Sequence, residues 1–279
     1  MTDDTPFLRK IMDHPHEVGP RLVFADWLEE RGDPWGELIR LQCELATTYQ
    51  EQKLDEYLQV YADSTVGFSV RGMIERCGRL LDTLTPTIIQ RMFDGALHGM
   101  ITVVNRYRPV EGDLIWWRES VWDWNDKTRL FFWRGMPERA AMIDLQWCNW
   151  HAEYMGSFPL HSLTIHATSR HNSGELPESI FESIATYAGR LTTLDLPYWM
   201  PAFTFMPWIE NHLNALGEKC HAVTGQPFTL KIGQAMMSGP PHSAAERWQA
   251  YCDRWLRDSN VRIVSRLEAR PIGQAMPNG

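Results

Sequence analysis

A cluster of carboxylates is the first feature of the sequence that could carry chemistry. Asp26, Glu29, Glu30 and Asp33 fall within eight residues, and hard cations such as Ca²⁺ bind carboxylate oxygens. The same crowding is typical of a solvated helix face, and the sequence lacks the spacing of an EF-hand loop. We therefore interpret the carboxylates as a helix surface, and we predict no metal ligands.

Histidines and cysteines could supply a nucleophile and its base. Cys220 precedes His221, and His151 is a further histidine that a Cys–His pair could use. His14 and His16 flank a proline, but no second pair of ligands has matching spacing. Because no motif of a nucleotide-binding loop, a serine hydrolase or a zinc protease occurs, we predict a non-enzyme without cofactor or catalytic residue. An unrecognised hydrolase remains an alternative.

Tryptophans are concentrated in one stretch of the chain. Trp116, Trp117, Trp122, Trp124 and Trp133 fall within eighteen residues, with arginines between them. Tryptophan and arginine are frequent in the binding hot spots of protein interfaces, so this stretch is a candidate contact patch. A local core of an inserted segment is the other interpretation. Stacking on single-stranded nucleic acid is disfavoured because residues 106–134 hold six basic and five acidic groups.

Charge and composition limit the partners and the compartment. The net charge is −8, with −7 in residues 1–60 and −1 in the remainder, so a polyphosphate would be repelled. No apolar run is long enough to span a membrane, and the N-terminus does not resemble a signal peptide. The five cysteines are scattered and none forms a C-x-x-C pair. We expect a cytoplasmic protein that binds neither nucleic acid nor membrane.

The first 60 residues contain residues that typically begin and end helices, and they predict three short helices. Thr5-Pro6 begins the first helix, which ends before His14-Pro15, since a residue before proline avoids the α region. Pro20 begins a second helix with Leu22, Val23, Trp27 and Leu28 inward, and Gly32 ends it. Asp33-Pro34 begins the third, which continues toward Tyr49.

The same residues carry a resemblance to a known family. They read Phe24-Ala25-Asp26-Trp27-Leu28-Glu29-Glu30, then Gly32-Asp33-Pro34, then Glu37-Leu38-Ile39-Arg40-Leu41-Gln42. Over Phe7–Ala46 the chain closely resembles the bacterial repeat-companion domain. The resemblance implies a helical module that precedes leucine-rich repeats, and it implies no reaction.

A second signature of that family lies downstream. Phe132-Trp133-Arg134-Gly135-Met136-Pro137-Glu138 is similar to its aromatic-x-Arg-Gly-aromatic-x-Glu stretch, which leads into the first repeat strand. Met136 departs from the pattern by replacing the aromatic residue. Between the two signatures, residues 70–93 predict a helix broken near Thr85-Pro86. Residues 106–130 exceed the family pattern and are interpreted as an insertion.

Short strands separated by helices are predicted after residue 138. Their cores are pairs of aliphatic residues that flank one other residue: Ile143/Leu145, Leu163/Ile165, Leu194/Leu196, Leu230/Ile232 and Val261/Ile263. The cores are 20, 31, 36 and 31 residues apart, which is less regular than the 20–29 residues of leucine-rich repeats. Between them, PESIFESIATYAGR and SAAERWQAYCDRWLRD are typical of outer helices. Such units must stack to bury a common core.

These patterns predict an α/β protein: an N-terminal helical module followed by an irregular leucine-rich-repeat-like solenoid with a short parallel sheet and outer helices. The predicted domains are a companion domain (1–60), a helical connector (61–105), a Trp-rich insertion (106–134) and the solenoid (135–279). We expect a scaffold that binds a protein partner, or else a regulatory or sensor component of a bacterial signalling or defence system. The predicted contact residues are the outward column of the sheet and three tryptophans: Asp144, Thr164, Asp195, Lys231, Arg262, Trp116, Trp117 and Trp122.

Overall fold

A computed structural model describes residues 4–48, 68–93, 101–104, 128–166, 178–196, 207–232 and 260–265. The chain forms two compact units, one of residues 1–140 with 154–160 and one of residues 141–153 with 161–279. Helices and strands occur in both units. The predicted α/β class is therefore confirmed.

Four described helices belong to the first unit: α1 (Thr5–Asp13), α2 (Gly19–Glu29), α3 (Trp35–Thr48) and α4 (Phe68–Met92). A proline lies in the first turn of α1 and of α2, where its missing N–H has no intrahelical partner to lose. The backbone N–H of Trp35 donates to Asp33 Oδ1 at 3.0 Å, so Asp33 caps α3 as predicted. The three predicted N-terminal helices are confirmed.

An aromatic cluster forms much of the core between these helices. The rings of Trp35 and Phe24 are nearly perpendicular at a centroid distance of 5.1 Å, and Phe7 stacks on Phe24 at 5.5 Å. Offset and edge-to-face contacts of this kind add to the free energy of burying the rings. Val23, predicted to point inward, is instead 58% exposed, because Phe24 and Leu28 take the buried face of α2.

Helix α4 differs from its prediction at Pro86. The sequence predicts a break near Thr85-Pro86, but α4 is one helix with Pro86 inside it. A proline in a helix removes one backbone hydrogen bond, and a threonine hydroxyl in a helix often bonds back to the carbonyl four residues earlier. Thr85 Oγ1 donates to Leu81 O at 2.6 Å. Buried side chains on both sides of Pro86, among them Leu81 and Ile89, fix the helix by packing.

The first unit also contains strands β1 (Ile101–Val104) and β2 (Thr128–Trp133). It contains the first part, residues 136–140, of strand β3 (Met136–Ile143). β1 pairs with β2 in parallel, and β2 neighbours β3. Only Arg134 and Gly135 connect β2 to β3, so the two strands form a hairpin. Both connecting residues have positive φ, 49° and 80°, as a type I′ turn requires.

The first predicted repeat strand is wrong. Ile143 ends β3, and α5 (Asp144–Ser157) begins at the next residue. Leu145, predicted to point into the core, is 51% exposed, whereas Asp144 is buried. The Asp144 carboxylate accepts a hydrogen bond from the backbone N–H of Leu145 at 2.7 Å, at the start of the helix. A carboxylate in the first turn is favoured by the helix dipole, and this favours a helix start at Asp144.

Four parallel strands form the sheet of the second unit, in chain order, and a helix follows each of the first two strands in the chain. The strands are β4 (Ser162–His166), β5 (Thr193–Leu196), β6 (Phe228–Ile232) and β7 (Val261–Ser265); the helices are α6 (Glu178–Thr186) and α7 (Pro207–Thr224). β4 pairs with β5, β5 with β6 and β6 with β7. Helix α6 lies within PESIFESIATYAGR, so a helix in this segment is confirmed. The other predicted outer helix, SAAERWQAYCDRWLRD, lies outside the described residues.

The register aligns the predicted aliphatic cores across all four strands. Leu163 pairs with Leu194, Leu194 with Leu230, and Leu230 with Ile263. The last strand is shifted by two residues, since Val261 pairs with Phe228 rather than with Leu230. A shift of two keeps the same side chains on the same face, because the strand period is two. The four strand predictions after Ile143/Leu145 are confirmed.

Candidate functional site

The two stretches that resemble the companion family meet at the turn between β2 and β3. Trp35 Nε1 donates to the carbonyl oxygen of Gly135 at 2.9 Å, and the N–H of Gly135 donates to Gln42 Oε1 at 2.6 Å. These partners are 100 and 93 residues apart in the chain. Both polar groups of one glycine are thus bonded to side chains of α3, inside the core.

Gly135 also has no room for a side chain. A Cβ on Gly135 would lie 2.7 Å from Ile39 Cα, and its φ of 80° is one that side-chain-bearing residues rarely adopt. The glycine therefore lets the turn approach the backbone of α3 closely. This contact gives a physical reason for the Arg-Gly pair in the signature.

A buried arginine–glutamate cluster of Arg21, Arg134 and Glu138 lies beside that turn. Glu138 Oε1 is 2.7 Å from Arg21 Nη2, and Glu138 Oε2 is 2.6 Å from Arg134 Nη2. The side chains of Arg21 and Glu138 are fully buried. Because two guanidinium groups share one carboxylate, the three groups together carry a buried charge of +1.

Backbone carbonyls between α1 and α2 accept further hydrogen bonds from both guanidinium groups, whereas Arg21 Nε is buried without such a bond. Arg21 donates to Glu17 O at 2.6 Å and to Pro15 O at 2.8 Å. Arg134 donates to His16 O at 2.9 Å and to Pro15 O at 3.0 Å. Charge-assisted bonds of this kind compensate for part of the cost of removing the arginines from water. The cluster thus ties the α1–α2 loop to the β2–β3 hairpin.

The electrostatics of the arginine–glutamate cluster favour a structural role. Burial lowers the pKa of Arg21, and the adjacent Glu138 opposes that shift. Cys43 lies near the cluster, and burial raises the pKa of its thiol to about 11. A thiol with that pKa is protonated at neutral pH and is a poor nucleophile. Glu138 is fully buried between the two guanidinium groups.

Arginines form ion pairs with the carboxylates that lie close together in the sequence. Arg40 forms ion pairs with Asp26 and with Glu29, the latter at 2.8 Å from Nε to Oε1. Arg91 contacts Asp33 through Nη1, and its guanidinium also lies 2.7 Å from Asp4 Oδ2. This agrees with the interpretation of the carboxylates as a charged helix surface.

Cys220, His151 and His14, considered above as catalytic or ligand candidates, each contact a different side chain. Cys220 is buried on α7 while the next residue, His221, is exposed, so they lie on different sides of the helix. Burial raises the pKa of the Cys220 thiol. His151 Nδ1 is 3.0 Å from the hydroxyl of Tyr187, and His14 Nδ1 is 3.0 Å from Glu17 Oε1.

The predicted outward column of the sheet is only partly exposed. Thr164 pairs with Asp195, and Asp195 pairs with Lys231, so these three residues share one row of the register. Thr164 and Asp195 are 6% and 4% exposed, which contradicts their prediction as contact residues. Every described residue of β4 is buried, as expected when a parallel strand is covered on both faces.

Only the last two strands expose members of the column. Arg262 is exposed and Lys231 is half-buried. Arg262 pairs with Thr229, two residues before Lys231, so both basic side chains lie on the same face of the sheet. Asp144, the first member predicted, belongs to α5 and not to a strand. Trp116, Trp117 and Trp122 lie outside the described residues.

Among the described residues, one group of potential metal ligands was not predicted from the sequence. Donor atoms of Glu178, Glu182 and His212 all lie within 4.8 Å of one another, on α6 and α7. The sequence signal was the spacing of four between two glutamates on a predicted helix, which places them on one face. The histidine comes from another helix, so no local motif could include it.

Comparison of the chain with family models, with curated proteins and with solved structures finds no match.

Proposed function

We propose that the chain is a non-catalytic, protein-binding scaffold of the bacterial cytoplasm, in which a repeat-companion domain precedes degenerate leucine-rich repeats stacked as a solenoid. The register of the second unit carries the proposal. Each successive strand pairs in parallel with the one before it, and one aliphatic row runs through Leu163, Leu194, Leu230 and Ile263. Stacked repeat units bury a common core in this way.

The bonds at the β2–β3 turn support the companion-domain part of the proposal. Gln42 is the last residue of the first signature, and Trp35 directly follows its Gly-Asp-Pro residues. Gly135 and Glu138 belong to the second signature. Their hydrogen bonds and ion pairs are buried, and Gln42, Gly135 and Glu138 are residues that the family pattern specifies. Free thiols at the described cysteines are consistent with a reducing compartment.

The contact surface proposed is the basic edge, defined as Thr229, Lys231 and Arg262. These residues share one face of β6 and β7 and are half-buried or exposed. Lys231 and Arg262 are cations on neighbouring strands of one sheet face, and they favour a partner with an acidic surface, because complementary charge speeds association and excludes partners of like charge. The buried Thr164 and Asp195 are no longer part of the surface.

The test compares what two double variants capture from the native host. Lys231→Glu/Arg262→Glu reverses the basic edge, and Arg9→Glu/Arg79→Glu makes the same charge change at exposed helix positions. We expect quantitative mass spectrometry to identify a host protein whose captured amount falls at least tenfold with the first variant. The second variant should capture the same amount as the wild type. Thermal melting of both variants checks that folding is preserved. Equal capture by the two variants would refute the basic edge as the contact surface.

Across the described helices, none is both long enough and apolar enough to cross a lipid bilayer.

A further inference from the structure

We propose that Glu178, Glu182 and His212 form a site for a first-row divalent transition metal that joins α6 to α7 in the second unit. The site is independent of the proposed function, because a scaffold needs no metal. Two observations carry it: the geometry of the three donors and the charge around them.

The geometry brings three donors from two helices together. Glu178 and Glu182 are four residues apart on α6, so both side chains lie on one face, and His212 reaches them from α7. His212 Nε2 lies 3.5 Å from Glu178 Oε1. Ligand atoms at about 2.1 Å from a tetrahedral zinc ion are about 3.4 Å apart. This pair therefore has the separation that a shared metal requires, and exposed Glu182 can reach the site by side-chain rotation.

In the described part of the chain, no lysine or arginine balances the charge of the two glutamates. Like charges four residues apart on a helix repel each other. In the first unit, carboxylates that lie close together share an arginine, as Asp26 and Glu29 share Arg40. Among the residues that the structure describes, neither Glu178 nor Glu182 has a lysine or arginine partner. A divalent cation would supply the missing positive charge.

The donor set indicates which metals fit. Two carboxylates and one imidazole suit Zn²⁺, Mn²⁺, Fe²⁺ and Co²⁺, whereas Ca²⁺ takes six to eight oxygen ligands in most sites. The side chain of Glu178 is half-exposed, so water can complete the coordination. The metal would bridge two helices that follow successive strands of the sheet, and its effect would be to hold them together.

The test is calorimetric titration of the full, chelator-treated chain with ZnCl₂. We expect the wild type to show a binding event of one Zn²⁺ that His212→Ala lacks and that Glu182→Gln weakens by more than tenfold. His221→Ala removes an exposed histidine from the same helix and is the matched control, so it should bind as the wild type does. The melting temperature should rise with Zn²⁺ only in the wild type and the control.

Circular dichroism shows whether each variant is folded, and exposed Glu182→Gln provides the test if His212→Ala is unfolded. Identical Zn²⁺ isotherms for the wild type and for a folded variant of the site would overturn the proposal. Absence of Zn²⁺ binding by the wild type would do the same. Ca²⁺ that binds as tightly as Zn²⁺, and competes with it, would overturn the assignment to transition metals.

Discussion

Glu138→Gln is expected to lower the free energy of unfolding by about 3–5 kcal/mol, as removal of one partner from a buried ion pair does. The amide keeps the size of the side chain but leaves Arg21 and Arg134 buried without a counter-charge. The bonds from both arginines to the α1–α2 loop cannot replace that charge, since carbonyls are neutral. Guanidinium unfolding followed by tryptophan fluorescence measures the loss.

Glu44→Gln is the control for this substitution. Glu44 is an exposed glutamate on α3 of the same unit, and its replacement should change stability by no more than about 0.5 kcal/mol. The double variant Arg21→Met/Glu138→Gln should lose less free energy of unfolding than the two single variants lose in sum. It removes one of the two arginines that Glu138→Gln leaves without a counter-charge. If Glu138→Gln unfolds at the same denaturant concentration as the wild type, the cluster contributes nothing to stability.

Gly135→Ala is expected to destabilise the chain by about 2–4 kcal/mol, the sum of left-handed backbone strain and overpacking. The added methyl group would meet the Cα atom of Ile39, and shortening the Ile39 side chain cannot remove a backbone atom. The helix and the hairpin must therefore move apart, which lengthens the hydrogen bonds of Gly135 to Trp35 and Gln42. The same denaturant titration measures the effect.

The control Gly32→Ala introduces the backbone strain of Gly135→Ala without the steric clash. Gly32 has nearly the same conformation, with φ of 69°, but nothing lies within 4 Å of the position of its Cβ. Its substitution should cost only the strain, about 1 kcal/mol. Equal losses for the two alanine variants would show that close approach to Ile39 is not what requires a glycine at position 135.

Local signals made much of the fold predictable. Prolines, capping residues and apolar spacing specify α1, α2 and α3, because these signals act within a few residues. Aliphatic alternation likewise locates β4 to β7. The same alternation failed at Ile143/Leu145, because two aliphatic residues with one between them fit the end of a strand followed by the start of a helix equally well.

Burial on the two faces of the sheet was less predictable. A polar residue between two aliphatic ones predicts an exposed face, and this holds for Arg262 but not for Thr164 or Asp195. Whether a second layer covers that face depends on segments distant in the chain. The charge of Asp195 alone therefore could not reveal that its strand is buried.

Local sequence signals could not predict the arginine–glutamate cluster or the Glu178–Glu182–His212 group either. Their members come from separate elements, and Arg134 bonds to Pro15 across 119 positions. The resemblance identified Arg134, Gly135 and Glu138 as a signature without indicating what they contact. Only the packing of α1, α2 and α3 against the hairpin explains why these residue types occur together.

The long span of these contacts has a consequence for synthesis on the ribosome. Trp35 and Arg21 emerge at least 100 residues before the groups that bind them. At about 5–20 residues per second, that separation corresponds to a delay of roughly 5–20 s. During this interval the nascent helices carry an unneutralised guanidinium and an incomplete core, so this stretch is where we expect a chaperone to engage the growing chain.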